Sequence, residues 1–278
     1  MKWNIVADSS CDLFPTSYQD GEVELSSVPF IITVGDHDFV DTEDLDIMSM
    51  VEAMEQEKTA SYTACPSPSH WLAEFNKAEH AIAITISSRL SGSMNSALTA
   101  MKLAHDNDPD RKIAILDSRA TGPTLVLCVE EIERLIREGL DFDEVVARAN
   151  AFLDKTKCIF ALSSFDNLIK NGRMGRLTGF VAKALHMWGI GSASEEGEIV
   201  IEGKAKGSKR LVKSLIALMQ ERGYTGGKLA ISHCDNQAMA QTLKESILEH
   251  WAGAEVKVLP TRGLCSYYAE RGGLIVSY

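Results

Sequence analysis

Ala81-Ile82-Ala83-Ile84-Thr85-Ile86-Ser87-Ser88-Arg89-Leu90-Ser91-Gly92-Ser93-Met94-Asn95-Ser96-Ala97-Leu98 changes periodicity partway along its length. Ala81 to Ile86 is an apolar, β-branched run of strand length, the pattern of a strand buried on both faces. The Ser- and Gly-rich stretch that follows is a turn. From Ser93 to His105 the apolar residues recur at three- and four-residue spacing, which predicts a helix packed on a sheet. A buried strand running through a polar turn into a helix is the unit of a parallel α/β layer. Working outward, strands are expected at Asn4 to Ala7, Val28 to Val34 and Lys112 to Leu116. Helices are expected at Leu45 to Met54, Ser69 to Ala78, Thr124 to Arg137 and Phe142 to Leu153.

The second half opens with a β-like run, Cys158 to Leu162, then two short helical pieces around Asn167 and Ala182. Glu195-Glu196-Gly197 reads as a hairpin turn before a weakly alternating Glu198 to Glu202. Leu211 to Arg222 is strongly helical, and the tail repeats strand, helix, strand at Lys228 to Ser232, Ala238 to His250 and Glu255 to Leu259. A last strand is expected at Leu274 to Val276. At 278 residues and 45% hydrophobic, the chain is long enough for two cores. The expected division is a mainly parallel N-terminal α/β domain over 1–156 and a second α/β domain over 157–278.

A formal net charge of −11 argues against nucleic acid or an anionic membrane as a standing partner, because both select positive fields. The local exception is Lys204-Ala205-Lys206-Gly207-Ser208-Lys209-Arg210. The opening Met1-Lys2-Trp3-Asn4 lacks the features of a signal peptide, and no stretch approaches the roughly 18 apolar residues of a spanning helix. A cytoplasmic protein is the expectation. The six cysteines (11, 65, 128, 158, 234 and 265) have neither C-x-x-C pairs nor zinc-like spacing, so reduced, mostly structural thiols and no metal site are expected.

Four polar clusters stand where strands end, the place open α/β sheets hold ligands. They are Asp8-Ser9-Ser10, Thr63-Ala64-Cys65-Pro66-Ser67, Ser87 to Ser93, and Asp117-Ser118. Hydroxyls and free amides at strand-to-helix turns favour an oxyanion. Caps and turns are the commoner use of any one such residue. Ser91-Gly92 does not sit in a G-x-S-x-G elbow, which weighs against a serine hydrolase or thioesterase using Ser91. No phosphate-binding G-x-x-x-x-G-K-[ST] occurs, and Gly189-Ile190-Gly191 lacks the third glycine of a dinucleotide fingerprint. His233 reads as a structural histidine at a helix entrance capped by Asp235, and the Met and Trp content from Ala184 to Trp188 reads as core or as the wall of an apolar cavity.

In this order the motifs resemble the DegV family of fatty-acid-binding proteins over nearly the whole chain. Ile5-Val6-Ala7-Asp8-Ser9-Ser10 is similar to the family's opening strand and D-S-T/S. Thr63 to Ser67 is similar to its T-S-x-P-S, and Ser87 to Ser93 with Ser96-Ala97 to its S-S-x-L-S-G-T/S. Asn171-Gly172-Arg173 stands at its G-G-R, and His233-Cys234-Asp235-Asn236 at its H-x-D-N. The resemblance implies two α/β domains with one long-chain fatty acid in a tunnel between them, and a carrier with no catalytic residue, metal or cofactor of its own. It also implies that Thr63 and Ser91 hold the carboxylate, with Arg173 and Tyr268 at matching positions. Bacterial members hand the acid to a separate ATP-dependent fatty acid kinase, which makes acyl phosphate for phospholipid synthesis. A sugar- or ketone-binding kinase subunit is the other reading that a related fold supports.

The sequence departs from the family pattern at Ala64, at Asn171 in place of the first glycine, and at Tyr268, where many relatives carry His. A buried chain of about fifteen methylenes at roughly 0.8 kcal/mol each supplies ample gross affinity, so polar groups are needed mainly to orient the acid. Lys204, Lys206, Lys209 and Arg210 form the candidate docking face for the kinase or for a transient contact with anionic lipid during loading. The plain alternative is a solvated loop and first helical turn, since clustered lysines are common on surfaces; against it, positive charge at a helix N-terminus opposes the macrodipole.

Overall fold

A computed structural model describes residues 2–17, 22–57, 61–174 and 187–278. The first sheet is wholly parallel, in the order β2-β1-β6-β7, from β1 (Trp3–Asp8), β2 (Val23–Val28), β6 (His80–Thr85) and β7 (Lys112–Asp117). Its strands do not alternate because both faces are covered. Val6, Ala81 and Ala83 meet α2 (Pro68–Phe75) and α3 (Ser93–Asn107) through Trp71, Phe75, Ala97, Ala100 and Ala104. Ile5, Ile82 and Ile84 on the other face meet α4 (Pro123–Arg137) and α5 (Phe142–Lys155). The side-chain period of two assigns these two sets to opposite faces.

The C-terminal sheet has six strands in the order β10-β9-β8-β13-β11-β12. They are β8 (Cys158–Leu162), β9 (Met187–Ala193), β10 (Ile199–Lys206), β11 (Gly227–His233), β12 (Ala254–Pro260) and β13 (Leu274–Ser277). Only β11 and β12 run parallel; the other neighbours are antiparallel. One face packs on α7 (Ser208–Glu221) and α8 (Gln237–His250), with Leu215, Met219, Leu243 and Ile247 against Ile159, Leu229 and Val276. The other face carries Phe160, Leu162 and Ile275 toward the N-terminal half. The expected boundary at 156/157 falls between α5 and β8. Across it, α4 packs on β1 and β6 and also on β11 and β13. Pro123 through Val129 are accordingly buried on every side, as a helix wedged between two sheets must be.

Val28 to Val34, expected as one strand, is two strands in two sheets. Pro29 has no N–H to continue a ladder, so β2 stops at Val28 and the chain turns into β3 (Ile31–Val34) of a small antiparallel sheet, β4-β3-β5. Here β4 is His37–Val40 and β5 is Ser61–Ala64. Its inner residues join α1 (Ile47–Gln56) and the C-terminal Phe160, Phe165 and Tyr267 in one apolar cluster. Two short helices finish the chain, α6 (Asp166–Lys170), which takes the place of the helical piece expected around Asn167, and α9 (Gly263–Ala269). The helical piece expected around Ala182, and 184–186 of the Met and Trp stretch, lie outside the described residues; Met187 and Trp188 begin β9. The hairpin turn expected at Glu195-Glu196-Gly197 joins β9 to β10.

Candidate functional site

An apolar cavity lies where the small sheet, the Ser87–Ser93 turn, the inner face of the C-terminal sheet and α9 meet. It leaves about 810 Å³ unfilled by atoms, open solvent at its mouth included. Phe30, Ile86, Phe160, Leu162, Leu264 and Ile275 give the wall its apolar character. Thr63, Ser91, Arg173 and Tyr268 all line it, so four residues far apart in sequence share one space.

Each of the four is placed by its element. Thr63 sits opposite Ile32 in the ladder with β3, and β5 turns Ser61 and Thr63 to the same face, toward α9. Thr63 Oγ1 lies 2.8 Å from Tyr268 Oη. That bond uses one of the pair's two protons and leaves the other to offer. The Ser93 amide donates to Ser91 Oγ at 3.2 Å, so the Ser91 hydroxyl proton is itself uncommitted. Arg173 donates through Nε to the Leu90 carbonyl at 3.1 Å and through Nη1 to the Asn171 carbonyl. Burial pushes the Tyr268 hydroxyl above its ordinary pKa, so it stays a neutral donor.

Most other hydroxyls of the four clusters are structural. Asp8 accepts from the Ser10 hydroxyl at 2.5 Å, the Ser93 hydroxyl at 2.6 Å and the Ile86 amide at 3.0 Å, binding the Ser-rich turn to β1. Ser9 Oγ accepts from the Phe30 amide at 3.0 Å, fixing the chain just past Pro29. Ser96 donates to the Pro66 carbonyl at 2.5 Å, and Asp117 takes the Ser88 and Arg119 amides at 3.2 and 2.9 Å. Ser87 donates to the Gly197 carbonyl at 2.7 Å, holding the β9–β10 turn on the end of β6. That approach requires glycine: a Cβ on Gly197, whose φ is 86°, would stand 2.3 Å from Ser87 Oγ.

Asn171, a departure from the family pattern, has a local reason. Its amide donates to Tyr267 Oη and to the Asn167 carbonyl, both at 2.9 Å, while Tyr267 donates to Ser61 Oγ at 2.8 Å. The chain around Arg173 is thus tied to β5 and α9 through a side chain that glycine lacks. Asp235, by contrast, does not cap the helix after His233 as expected: Asn236 holds the N-cap position of α8, with no side-chain cap bond. The His233 ring accepts the Asn236 amide at the start of α8, and Asp235 pairs with Arg271.

Sequence reasoning missed the groups that aim α9. Arg262, 1% exposed, donates to the Leu13 carbonyl at 3.0 Å, Ser27 Oγ at 2.9 Å and the Asp41 carbonyl at 2.8 Å. Asp41 takes the Gly263 and Leu264 amides at 2.9 and 2.8 Å, capping α9 from the far half of the chain. A Cβ on Gly263 would come within 2.7 Å of that carboxylate. Asp12 accepts the Arg262 amide at 2.8 Å, its second oxygen has no partner, and burial raises its pKa to about 7. Neither acid stood in a recognisable motif.

Among the described residues, no cluster of three or more His, Cys, Asp or Glu side chains could hold a metal ion, and no helix is long and apolar enough to cross a membrane. All six cysteines are free. The family model described as "Uncharacterised protein, DegV family" matches residues 2–278.

The chain belongs to the DegV family. A DegV domain-containing protein of Streptococcus pneumoniae is 41% identical over 278 residues, which covers 100% of this chain and 99% of that protein. Among solved structures, the S. pneumoniae Fatty Acid Kinase (Fak) B3 protein loaded with linoleic acid superposes with a TM-score of 0.96 at 41% identity, covering 100% and 99% of the two chains. A DegV family protein of Eubacterium eligens loaded with heptadecanoic acid superposes at 0.94 with 37% identity, covering 99% and 98%. The two-domain mixed α/β architecture is the DegV architecture.

Proposed function

We propose that this chain binds one long-chain fatty acid in the apolar cavity and presents its carboxyl group to a separate ATP-dependent fatty acid kinase, which makes acyl phosphate for phospholipid synthesis. In this reading the domains are 1–156 and 157–278, and the acyl chain lies between them. The observation that carries it is an apolar cavity meeting Ser91 and the Thr63–Tyr268 pair, each with one hydroxyl proton to offer, in a fold shared with two fatty-acid-loaded relatives. Ser91 and the Thr63–Tyr268 pair offer one proton each to the carboxylate oxygens, and Arg173 adds a fixed positive charge at the same cavity. A carboxylate leaving water needs such partners. The protein supplies no cofactor in this scheme; the acid is the ligand.

A serine hydrolase would need a base beside Ser91, and among the described residues no histidine lines the cavity. The test is a denaturing lipid extract of purified protein. Near-stoichiometric free fatty acid is expected; an extract without it sinks the carrier reading in favour of a hydrolase, or of a sugar- or ketone-binding kinase subunit.

For the partner face, Lys204 and Lys206 project from β10, an edge strand, and Lys209 and Arg210 from the first turn of α7; all four are exposed. Lysines also keep edge strands from pairing with other chains, so a docking role needs its own test. Kinase docking is the reading we favour, with transient contact with anionic lipid during loading as the alternative use. Lys206→Glu with Lys209→Glu should leave acid binding intact and slow phosphorylation of the bound acid at low salt, where charge steering acts. Parental rates of phosphorylation and of uptake from anionic vesicles would reduce the segment to a protected edge.

A further inference from the structure

β9 is glycine-rich where the strands beside it are bulky. Gly191 stands opposite Phe160 of β8 and Ile201 of β10, and cross-strand partners share a face, here the one turned to the N-terminal half. The neighbouring Ile190 packs on the other face, in the cluster with α7 and α8. Gly191 has no positive φ, so its backbone conformation does not call for glycine. A glycine inside a strand weakens it, and marks a place where something approaches closely. What approaches is an aromatic ring. A Cβ on Gly191 would stand 2.5 Å from Phe160 Cε2, nearer still to Cζ, and 2.6 Å from the Val200 carbonyl oxygen. Phe160 in turn lines the apolar cavity, and its ring meets that of the fully buried Phe165 at a centroid distance of 6.4 Å and an angle of 65°.

We propose that Gly191 is a positioning residue for the ligand: its missing side chain lets the Phe160 ring lie back over β9, out of the space an acyl chain occupies. The inference rests on the carrier reading above. A methyl group at 191 has to push the ring off the strand. Phe165 sits in a close-packed interior and gives way little, whereas the cavity is unfilled, so the displaced ring enters the cavity. Gly189-Ile190-Gly191, which is no dinucleotide fingerprint, thereby gains a use for its second glycine.

The test is a double-mutant cycle on the delipidated full chain, with octadecanoic acid displacing a fluorescent fatty acid and a thermal melt beside it. Gly191→Ala should weaken octadecanoic acid about tenfold or more, because the ring then competes with the acyl chain. Phe160→Leu removes the two ring atoms that a Cβ would meet, and in that background the same glycine change should cost less than about threefold. A purely structural role would not give this rescue, since the Val200 carbonyl remains in both backgrounds. Parental affinity in Gly191→Ala overturns the proposal, as does an equal loss in both backgrounds. Where Gly191→Ala does not fold, the double variant must fold and bind; if it does not, the glycine serves the Val200 carbonyl and the proposal falls. Octadecanoic acid failing to bind the parent overturns the carrier reading, whereas binding by the parent without the rescue overturns this inference alone.

Discussion

The two ends of α9 are built from different chemistry. At its N-terminus, Arg262, Asp41 and Asp12 are buried together and bonded to backbone and to Ser27 Oγ, with only Arg262 Nε and one Asp12 oxygen left without a partner among the described residues. At its C-terminus, Tyr267 and Tyr268 meet Ser61, Thr63 and Asn171 through neutral groups, with protons left over at the cavity. Buried ions tolerate little rearrangement, because any lost partner leaves an uncompensated charge. Neutral hydroxyls exchange partners at low cost, as a site that loads and unloads a ligand requires. The fixed end sets where the adaptable end stands.

The largest expected effect comes from breaking the ionic end. Arg262→Met leaves Asp41 and Asp12 buried without their cation and should cost about 3–5 kcal/mol of stability, read from urea unfolding near pH 8. A loss below about 1 kcal/mol, the range of exposed ion pairs, would erase the contrast between the two ends.

Asp12 sharpens the same contrast through pH. Its folded pKa of about 7 lies above the unfolded value because burial disfavours the charged form. The stability it contributes is therefore complete below about pH 4, the unfolded carboxyl range, and is lost as pH rises through about 7. Asp12→Asn keeps an acceptor for the Arg262 amide and should flatten that decline by about 2–4 kcal/mol between pH 4 and 8. An unchanged pH slope would show that Asp12 stays ionised in the fold.

The parallel sheet and its helices were legible in the sequence because burial on both faces writes continuous apolar runs such as Ala81 to Ile86. The small sheet was not. Residues 61–64 of β5 read Ser-Tyr-Thr-Ala, too short and too polar for a period; β3 was read within the strand expected at Val28 to Val34, whereas β4 and all of β2 before Val28 went unread. Thr63, Ser91, Arg173 and Tyr268 were singled out through the family resemblance, and the structure places all four on the cavity wall, while the hydroxyls around them are mostly turn and cap groups. Asp12, Asp41 and Arg262 went unread because their roles depend on contacts between residues more than two hundred positions apart.

At the neutral end, Thr63→Ala and Ser91→Ala should each weaken fatty-acid binding by about 1.5–3 kcal/mol, ten- to a hundredfold, without a shift in unfolding midpoint. Fluorescent-acid displacement beside a thermal melt measures both. Unchanged affinity in both variants removes these residues from the site, whereas a large stability loss would mean that this end is as rigid as the other.

The smallest effect belongs to Tyr268, which the sequence reading sets in place of a family histidine. Its hydroxyl shares a proton with Thr63, so Tyr268→Phe removes one donor while Thr63 Oγ1 can turn its own proton to the ligand. Partial compensation by a neighbour should limit the loss to about 0.5–1.5 kcal/mol, the net value of a neutral hydrogen bond. Burial raises the Tyr268 pKa above its ordinary value and so holds the hydroxyl neutral. Affinity should therefore be flat from about pH 5.5 to 7.5, the window in which a histidine near pKa 6.5 would titrate. Titration of binding across that window in the parent and in Tyr268→His separates the cases. The parent should give a level line and the variant a slope. A transition in the parent that disappears on mutating one of its own histidines would move the head-group donor away from Tyr268, and the neutral end of α9 would no longer be the end that meets the ligand.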